Sequence, residues 1–335
     1  MTSTESAAGR PQLITPTFVL AWVANFCQFL VFYLSVTTMA LYAVESFGAS
    51  DTVGGFASSA FVLGATCMRV FSGWLVDRVG HKKAALTSLV FVTVVAVAYF
   101  FAQNVAVLIV VRFLHGTGYA LTSTALMAVA QSVIPHERRA EGTGYFALGT
   151  TLATAFGPAL GLFLANNIGY NTLFAVALGA NIVSLILALV LRYPAEVSAE
   201  KPAFRLRNAV HPNVVPIGIF MLLVGIAYSG VVTYLNAYAR KEDLVTGAGL
   251  FFIGYAVTML IMRFILGRIQ DHKGDNAVMY LGLAAFVLAL LLMGFPTNDV
   301  MLVVAGACTG LGFGTLSPAC QAISVRSVPA AQMGA

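Results

Sequence analysis

Charge is scarce in this 335-residue chain: Asp, Glu, Lys and Arg together make up 9% of it. Soluble domains carry about a quarter of charged residues, and a 59% hydrophobic content with a mean hydropathy of +0.88 leaves no soluble reading. Cysteine is sparse as well. Cys27, Cys67, Cys308 and Cys320 all fall inside apolar runs without CxxC or His spacing, which argues against a disulfide framework or a zinc site. Acidic residues stay out of the apolar runs: all 13 lie in connecting segments or at run ends, with Glu45 coming closest to the interior of the first run. No HExxH, GxSxG or paired membrane carboxylates occur, so neither a metal nor a cofactor nor an enzymatic constellation is expected.

What the chain has instead is long apolar runs. About 20 mostly apolar residues span a hydrocarbon core of about 30 Å, and ten such runs can be drawn, at 18–42, 52–76, 84–102, 105–130, 143–166, 172–192, 213–238, 246–268, 277–295 and 299–325. Their length excludes a β-barrel, whose strands are about ten alternating residues. The fold class is an all-α polytopic membrane protein. The first run is too long for a signal-peptide core and has only Arg10 ahead of it, so it reads as a retained span. Bases fix the orientation, because Lys and Arg stay on the cytoplasmic side. With the N-terminus inside, Arg10, Arg78, Lys82, Lys83, Arg138, Arg139, Arg192, Lys201, Arg205, Arg207, Arg268, Lys273 and Arg326 face the cytoplasm, and Arg240 with Lys241 stands outside. The net charge of +5 therefore belongs to one face of a multi-pass cell-membrane protein, where anionic lipid is the partner and no nucleic acid is required.

A shift of 194 residues lays the chain over itself. Thr52, Gly55, Met68, Arg69, Gly73, Asp77 and Gly80 then meet Thr246, Gly249, Met262, Arg263, Gly267, Asp271 and Gly274. Without a gap, Gly116, Gly118, Ser123 and Pro135 meet Gly310, Gly312, Ser317 and Pro329. One unit is written twice: an N-terminal six-helix bundle over 1–192, a polar, basic cytoplasmic linker over 193–212, and a C-terminal bundle over 213–335. Ala335 matches Glu141, in the loop after span 4, so ten of twelve helices are expected here and spans 11 and 12 beyond it.

Three segments carry a resemblance. "GWLVDRVGHKK" (73–83) crowds charge between spans 2 and 3, "RFLHGTGYA" (112–120) opens span 4 with Arg and a glycine-rich face, and "GTTLATAFGPALG" (149–161) runs along span 5. With the repeat and the basic linker, they resemble the major facilitator superfamily of secondary transporters, and more narrowly its drug and metabolite exporter branch. The first signature is filled by Gly73, Asp77, Arg78, Gly80, Lys82 and Lys83, with His81 where Arg is usual; the second copy keeps Gly267, Asp271 and Gly274 but has His272 for the Arg. The third is partial, with Leu162 replacing a Gly after Gly161.

The resemblance implies two pseudo-symmetric halves that rock about a central site, with Gly73, Asp77, Arg78, Gly80, Lys82, Gly267 and Asp271 forming a gating latch. In such a latch each Asp lies near a helix N-terminus of the opposite half, worth about 0.3–1 kcal/mol. Lys82 and Lys83 also satisfy the positive-inside rule on their own. Arg69, Arg112 and Arg263 lie within spans, where charge is costly and a functional candidate; Arg69 and Arg263 could equally snorkel to the inner interface. Arg112 and His115 share a face and form the proton-handling pair, unless His115 is a hydrogen-bonded core residue. Gly157, Pro158 and Gly161 mark a small-residue stripe with a kink, read either as tight packing or as a flexing element.

Spans 1, 4, 7 and 10 line the cavity in that superfamily. Asn25, Gln28 and Phe32 on span 1, and Tyr228, Thr233, Tyr234 and Asn236 on span 7, are the substrate-contact candidates; interhelical hydrogen bonding is the alternative for the polar ones. Such a lining suits a small neutral, zwitterionic or amphipathic solute. The implied activity is proton-coupled efflux by a monomer; the alternative is import of a small metabolite such as a sugar or organic acid. A channel or non-transporting receptor is a further rival, separable by whether flux saturates.

Overall fold

The first helix begins where the sequence provides a cap: the Thr15 hydroxyl accepts the Phe18 amide at 3.2 Å, and Pro16 takes the first helical position. Ser50 and Asn104 cap two later helices in the same way. A computed structural model describes residues 12–135, 138–193, 212–295 and 298–326. These form α1 (Pro16–Val36), α2 (Met39–Phe47), α3 (Asp51–Val79), α4 (His81–Ala98), α5 (Val105–Val133), α6 (Arg139–Asn167), α7 (Tyr170–Val190), α8 (Val215–Lys241), α9 (Val245–Lys273), α10 (Asp275–Gly294) and α11 (Asp299–Arg326). Among the described residues there is no strand, and ten helices are long and apolar enough to cross a membrane. Linker residues 194–211 lie outside the described residues.

The expected first span, 18–42, is wrong in one respect: the helix stops at Val36 and resumes at Met39. Hydroxyls cause the break. Ser35 Oγ donates to the Val31 carbonyl at 2.7 Å, and Thr38 Oγ1 donates to the carbonyls of Leu34 and Ser35, so side chains compete with the backbone ladder. The Thr38 amide falls back to Ser35, three residues behind it. Ser58 of α3 donates to the freed Val36 carbonyl at 2.7 Å, and the short α2 leaves on a new axis.

Helix association in lipid draws on close packing and hydrogen bonds, because lipid is as apolar as the helix faces. Glycine supplies the closeness. A Cβ added at Gly116 of α5 would lie 1.9 Å from the Phe61 carbonyl oxygen of α3, and one added at Gly310 of α11 would lie 2.3 Å from the Tyr255 carbonyl oxygen of α9. Phe61 and Tyr255 are themselves one repeat length apart, as are Val92 and Phe286, which crowd Gly118 and Gly312. The sequence repeat is thus a repeat of contacts. It departs at Arg112, whose counterpart Gly306 lets the α9 and α11 backbones meet at Phe251, whereas Arg112 bridges α5 to the α3 carbonyls of Ala57 and Ser58.

Two groups of helices result. α1 packs on α5, α6 and α7, α3 on α5, and α4 on α5 and α7; α9 and α10 pack on α11, with α8 alongside. The groups touch through α6 against α9, and through α2 and α3 against α8. Leu162 and Ala159 of α6 enter an apolar cluster with Val231, Leu235, Phe251 and Phe252. Outward, residues such as Val94, Leu189, Leu222 and Ile226 are exposed and form the lipid-facing belt.

Candidate functional site

The signature segment is shaped by Gly80, which ends α3 and opens α4 with φ +94°; Gly274 does the same between α9 and α10 with φ +81°. A β-carbon is strained at either place. Around Gly80 the latch residues are apart. Asp77, Arg78 and Lys82 are exposed, a Cβ at Gly73 would meet nothing within 4 Å, and the Arg78 guanidinium lies over the Trp74 ring at 5.1 Å. Asp77 makes no ion pair among the described residues. Gly267 and Asp271 fall on α9, but their side-chain surroundings lie outside the described residues, as does the side chain of Arg263.

The opposite membrane face is closed. Glu45 of α2 pairs with Arg240 of α8, which also reaches Asn166 of α6. The Tyr170 hydroxyl of α7 donates to the other Glu45 oxygen at 2.8 Å. Beside them the Tyr234 hydroxyl fills the space at Gly55 of α3, where a Cβ would overlap it. Tyr234, expected as a substrate contact, therefore sits in this seam between the groups. Reasoning from sequence missed the clasp; its signal was that Glu45 and Arg240 end separate apolar runs on the face poor in bases.

Arg112 and His115 are buried together, 0% and 2% exposed. Arg112 Nη2 donates to the Ser58 carbonyl at 2.8 Å, its guanidinium lies 4.9 Å from the Phe61 ring centroid, and Nη1 has no partner. His115 Nδ1 shares a 3.2 Å hydrogen bond with the Tyr99 hydroxyl. The pair lies in the seam of α3, α4 and α5, away from the space between the groups.

Aromatic rings stack within each group. Phe32 of α1 stacks on Tyr119 of α5 at 5.8 Å, and Tyr228 of α8 stacks on Phe313 of α11 at 3.6 Å. Tyr119 and Phe313 are repeat partners. Tyr228 also lies against Tyr255 of α9, with ring centroids 6.2 Å apart. Tyr119, Tyr255 and Phe313 were not among the expected contacts, because a period along one helix cannot tell which of its faces meets another helix.

The remaining candidates divide. Gln28 is buried and donates to Asn181 of α7 at 3.0 Å, so it serves the α1–α7 seam. Asn25 and Asn236 are buried with amide atoms unpaired, and Thr233 is half-buried. Gly157 and Gly161 lie against Tyr33 and Leu34 of α1, while Pro158 is carried within an unbroken α6; the stripe is the α1–α6 contact. The described residues hold no metal-binding cluster.

Residues 21–335 match the sequence profile of the Major Facilitator Superfamily. The multi-drug resistance efflux pump PmrA of Streptococcus pneumoniae serotype 4 is 25% identical over 330 residues, covering 93% of this chain and 81% of the relative. The multidrug resistance protein MdtG of Escherichia coli is 24% identical, covering 92% and 79%. Among solved structures, the nucleoside transporter NupG superposes with a TM-score of 0.73 at 13% identity over 95% of this chain and 84% of that one. The human organic anion transporter MFSD10 gives 0.70 at 16% identity, over 97% and 89%.

Proposed function

The chain belongs to the major facilitator superfamily, a family of transporters rather than enzymes, and from that premise we propose that it exports a small amphipathic solute in exchange for protons. The two helix groups act as rocking halves about a site near the midplane, divided by the linker at 193–212 and acting as a monomer. The Asp77 face is the cytoplasmic one, by the distribution of bases.

One observation carries the reading. The groups are clasped at the Glu45 face by an ion pair and an apolar cluster, while at the other end Asp77 is exposed and a Cβ at Gly73 would meet nothing within 4 Å. That is one of the two arrangements alternating access needs, with solute admitted from the Asp77 side. Export, rather than import, draws on the likeness to pumps named for efflux. When the halves rock, Asp77, Arg78 and their repeat partner Asp271 close the other face.

Proton coupling is assigned to His115. Arg112 and Tyr99 face it, and Phe61 packs on its ring; protonation would place two cations in one dry seam of α3 and α5, which favours a different helix arrangement. The test is transport by the full-length protein in proteoliposomes under an imposed pH gradient, with ethidium and an aromatic carboxylate as solutes. Saturable flux that follows the gradient is expected, and His115→Ala should flatten its pH profile. Gradient-independent, non-saturating flux would overturn transport by this mechanism.

A further inference from the structure

Two places that the transport reading joins lie apart in the structure. Arg112 and His115 are buried in the seam of α3, α4 and α5, whereas the Glu45–Arg240 clasp ties α2 to α8. A chain of contacts runs between them. The Phe61 ring packs on the His115 ring at 5.3 Å and lies 4.9 Å from the Arg112 guanidinium. Arg112 donates from Nη2 to the Ser58 carbonyl at 2.8 Å and from Nε to the Ala57 carbonyl at 3.4 Å. Ser58 Oγ in turn donates at 2.7 Å to the carbonyl of Val36, the last residue of α1. Beyond that residue the helix breaks, and α2 carries the chain on to the clasp.

Short as it is, α2 is seated firmly on α3. A Cβ at Gly54, one turn before Ser58, would lie 2.7 Å from the Ala40 carbonyl oxygen, and Met39, Ala43 and Ala57 share one buried cluster. The two helices therefore move as one piece, and Ser58 sets the angle of that piece to α1. Glu45 is seven residues beyond Thr38. At 1.5 Å per residue that is a lever of about 10 Å, so a swing of about 10° at the break carries the carboxylate about 2 Å, enough to part a direct ion pair. Two buried groups flanking Ser58 lack partners, Arg112 Nη1 and the Thr37 hydroxyl. A buried polar group without its bond is costly, so the clasped arrangement is not the one in which this network is fully bonded.

We infer that Ser58 is a positioning residue of the transport cycle: it transmits the placement of Arg112 to the break between α1 and α2, and so sets whether Glu45 meets Arg240. The inference rests on the reading of the two groups as rocking halves with Arg112 and His115 as their proton-handling pair, and supplies the route by which that dry seam reaches the gate. Such a route requires a two-state element that both ends bias, and proximity alone does not establish it. Here the element is the clasp.

The test is pulsed electron paramagnetic resonance on the full-length protein in lipid nanodiscs, on a cysteine-replaced background, with two label pairs at exposed sites. Ser46 and Glu242 span the clasp, and Gln103 with Asn167 lies within the first group. Ser58→Ala should raise the ratio of long- to short-distance populations across the clasp about fivefold, the size of one net hydrogen bond, and leave the second pair unchanged. Arg112→Met should shift the clasp in the same direction, and the double variant should go no further than the larger single effect, because both act through one chain. Ser59→Ala, whose hydroxyl bonds within α3, should match wild type. Melting temperature confirms folding, and if one single variant fails to fold the other decides alone on the same label pairs. An unchanged clasp in Ser58→Ala, free-energy shifts that add in the double variant, or equal broadening of the second pair would overturn the inference. Flux in proteoliposomes judges the transport reading separately. Gradient-driven flux with a clasp indifferent to Ser58 sinks the link and leaves transport standing; a Ser58-dependent clasp without any flux does the reverse.

Discussion

Removing the Glu45 carboxylate tests the clasp directly. In Glu45→Gln the salt bridge to Arg240 is lost, and the charge-assisted bond from Tyr170 becomes a neutral one. The side chains of Arg240 and Glu45 are 34% and 37% exposed, so the pair is screened and is worth about 0.2–1 kcal/mol rather than the value of a buried ion pair. Weakening the Tyr170 bond adds a few tenths more, since a net hydrogen bond is worth about 1 kcal/mol. The sum is about 1 kcal/mol, roughly a fivefold shift in the ratio of closed to open arrangements at that face. The apolar cluster around Leu162 is untouched, so the clasp loosens without the halves separating. The assay is pulsed electron paramagnetic resonance in lipid nanodiscs, on a cysteine-replaced background, with spin labels at the exposed Asn167 and Glu242, one on each side of the seam. The variant should gain a longer-distance population several times larger than in wild type, and the charge-swapped double variant Glu45→Arg, Arg240→Glu should recover most of the short one. Identical distance distributions in wild type and Glu45→Gln would refute the claim that this ion pair biases the two arrangements.

Other substitutions probe other links. Gly116→Val would drive a side chain into the Phe61 carbonyl across the α3–α5 seam; overpacking of this kind costs about 1–3 kcal/mol or more, and a fall in detergent melting temperature or in folded yield is expected, while Gly179→Val, on a helix face with open space, should be neutral. Gly80→Val places a β-branched residue at φ +94° and should cost about 1–2 kcal/mol, read as lower thermal stability with the spans still inserted. Arg112→Met removes the side-chain hydrogen bonds that tie α5 to the α3 carbonyls of Ala57 and Ser58 and should cost about 1 kcal/mol, measured by thermal unfolding; an unchanged midpoint would show that Arg112 does not hold the seam. Asp77→Asn should slow turnover while membrane insertion is normal, and equal turnover would remove Asp77 from the gate.

Much of this architecture is written along the chain because a membrane reduces the problem to one dimension. Apolar length sets where helices cross, backbone hydrogen bonds have to close within each helix, and the bases set the orientation expected of them. The repeat is visible for the same reason: Gly116 and Gly310 recur because two equivalent backbones approach equally closely. The break at Thr37 and Thr38 escaped that logic, since it arises from hydroxyls bonding back to carbonyls inside an otherwise apolar run.

What the sequence by itself determined is the class, the crossings, the duplication and the family, since each depends on composition and spacing within single segments. What only the tertiary structure decided is which residues meet. Gln28 turned out to serve a helix seam and Tyr234 the clasp, while Arg112, a charge inside a span, bridges α5 to the α3 carbonyls of Ala57 and Ser58. Side-chain direction around a helix that is apolar on every face leaves no periodic signal, so those assignments depend on the packing of helices far apart in the chain.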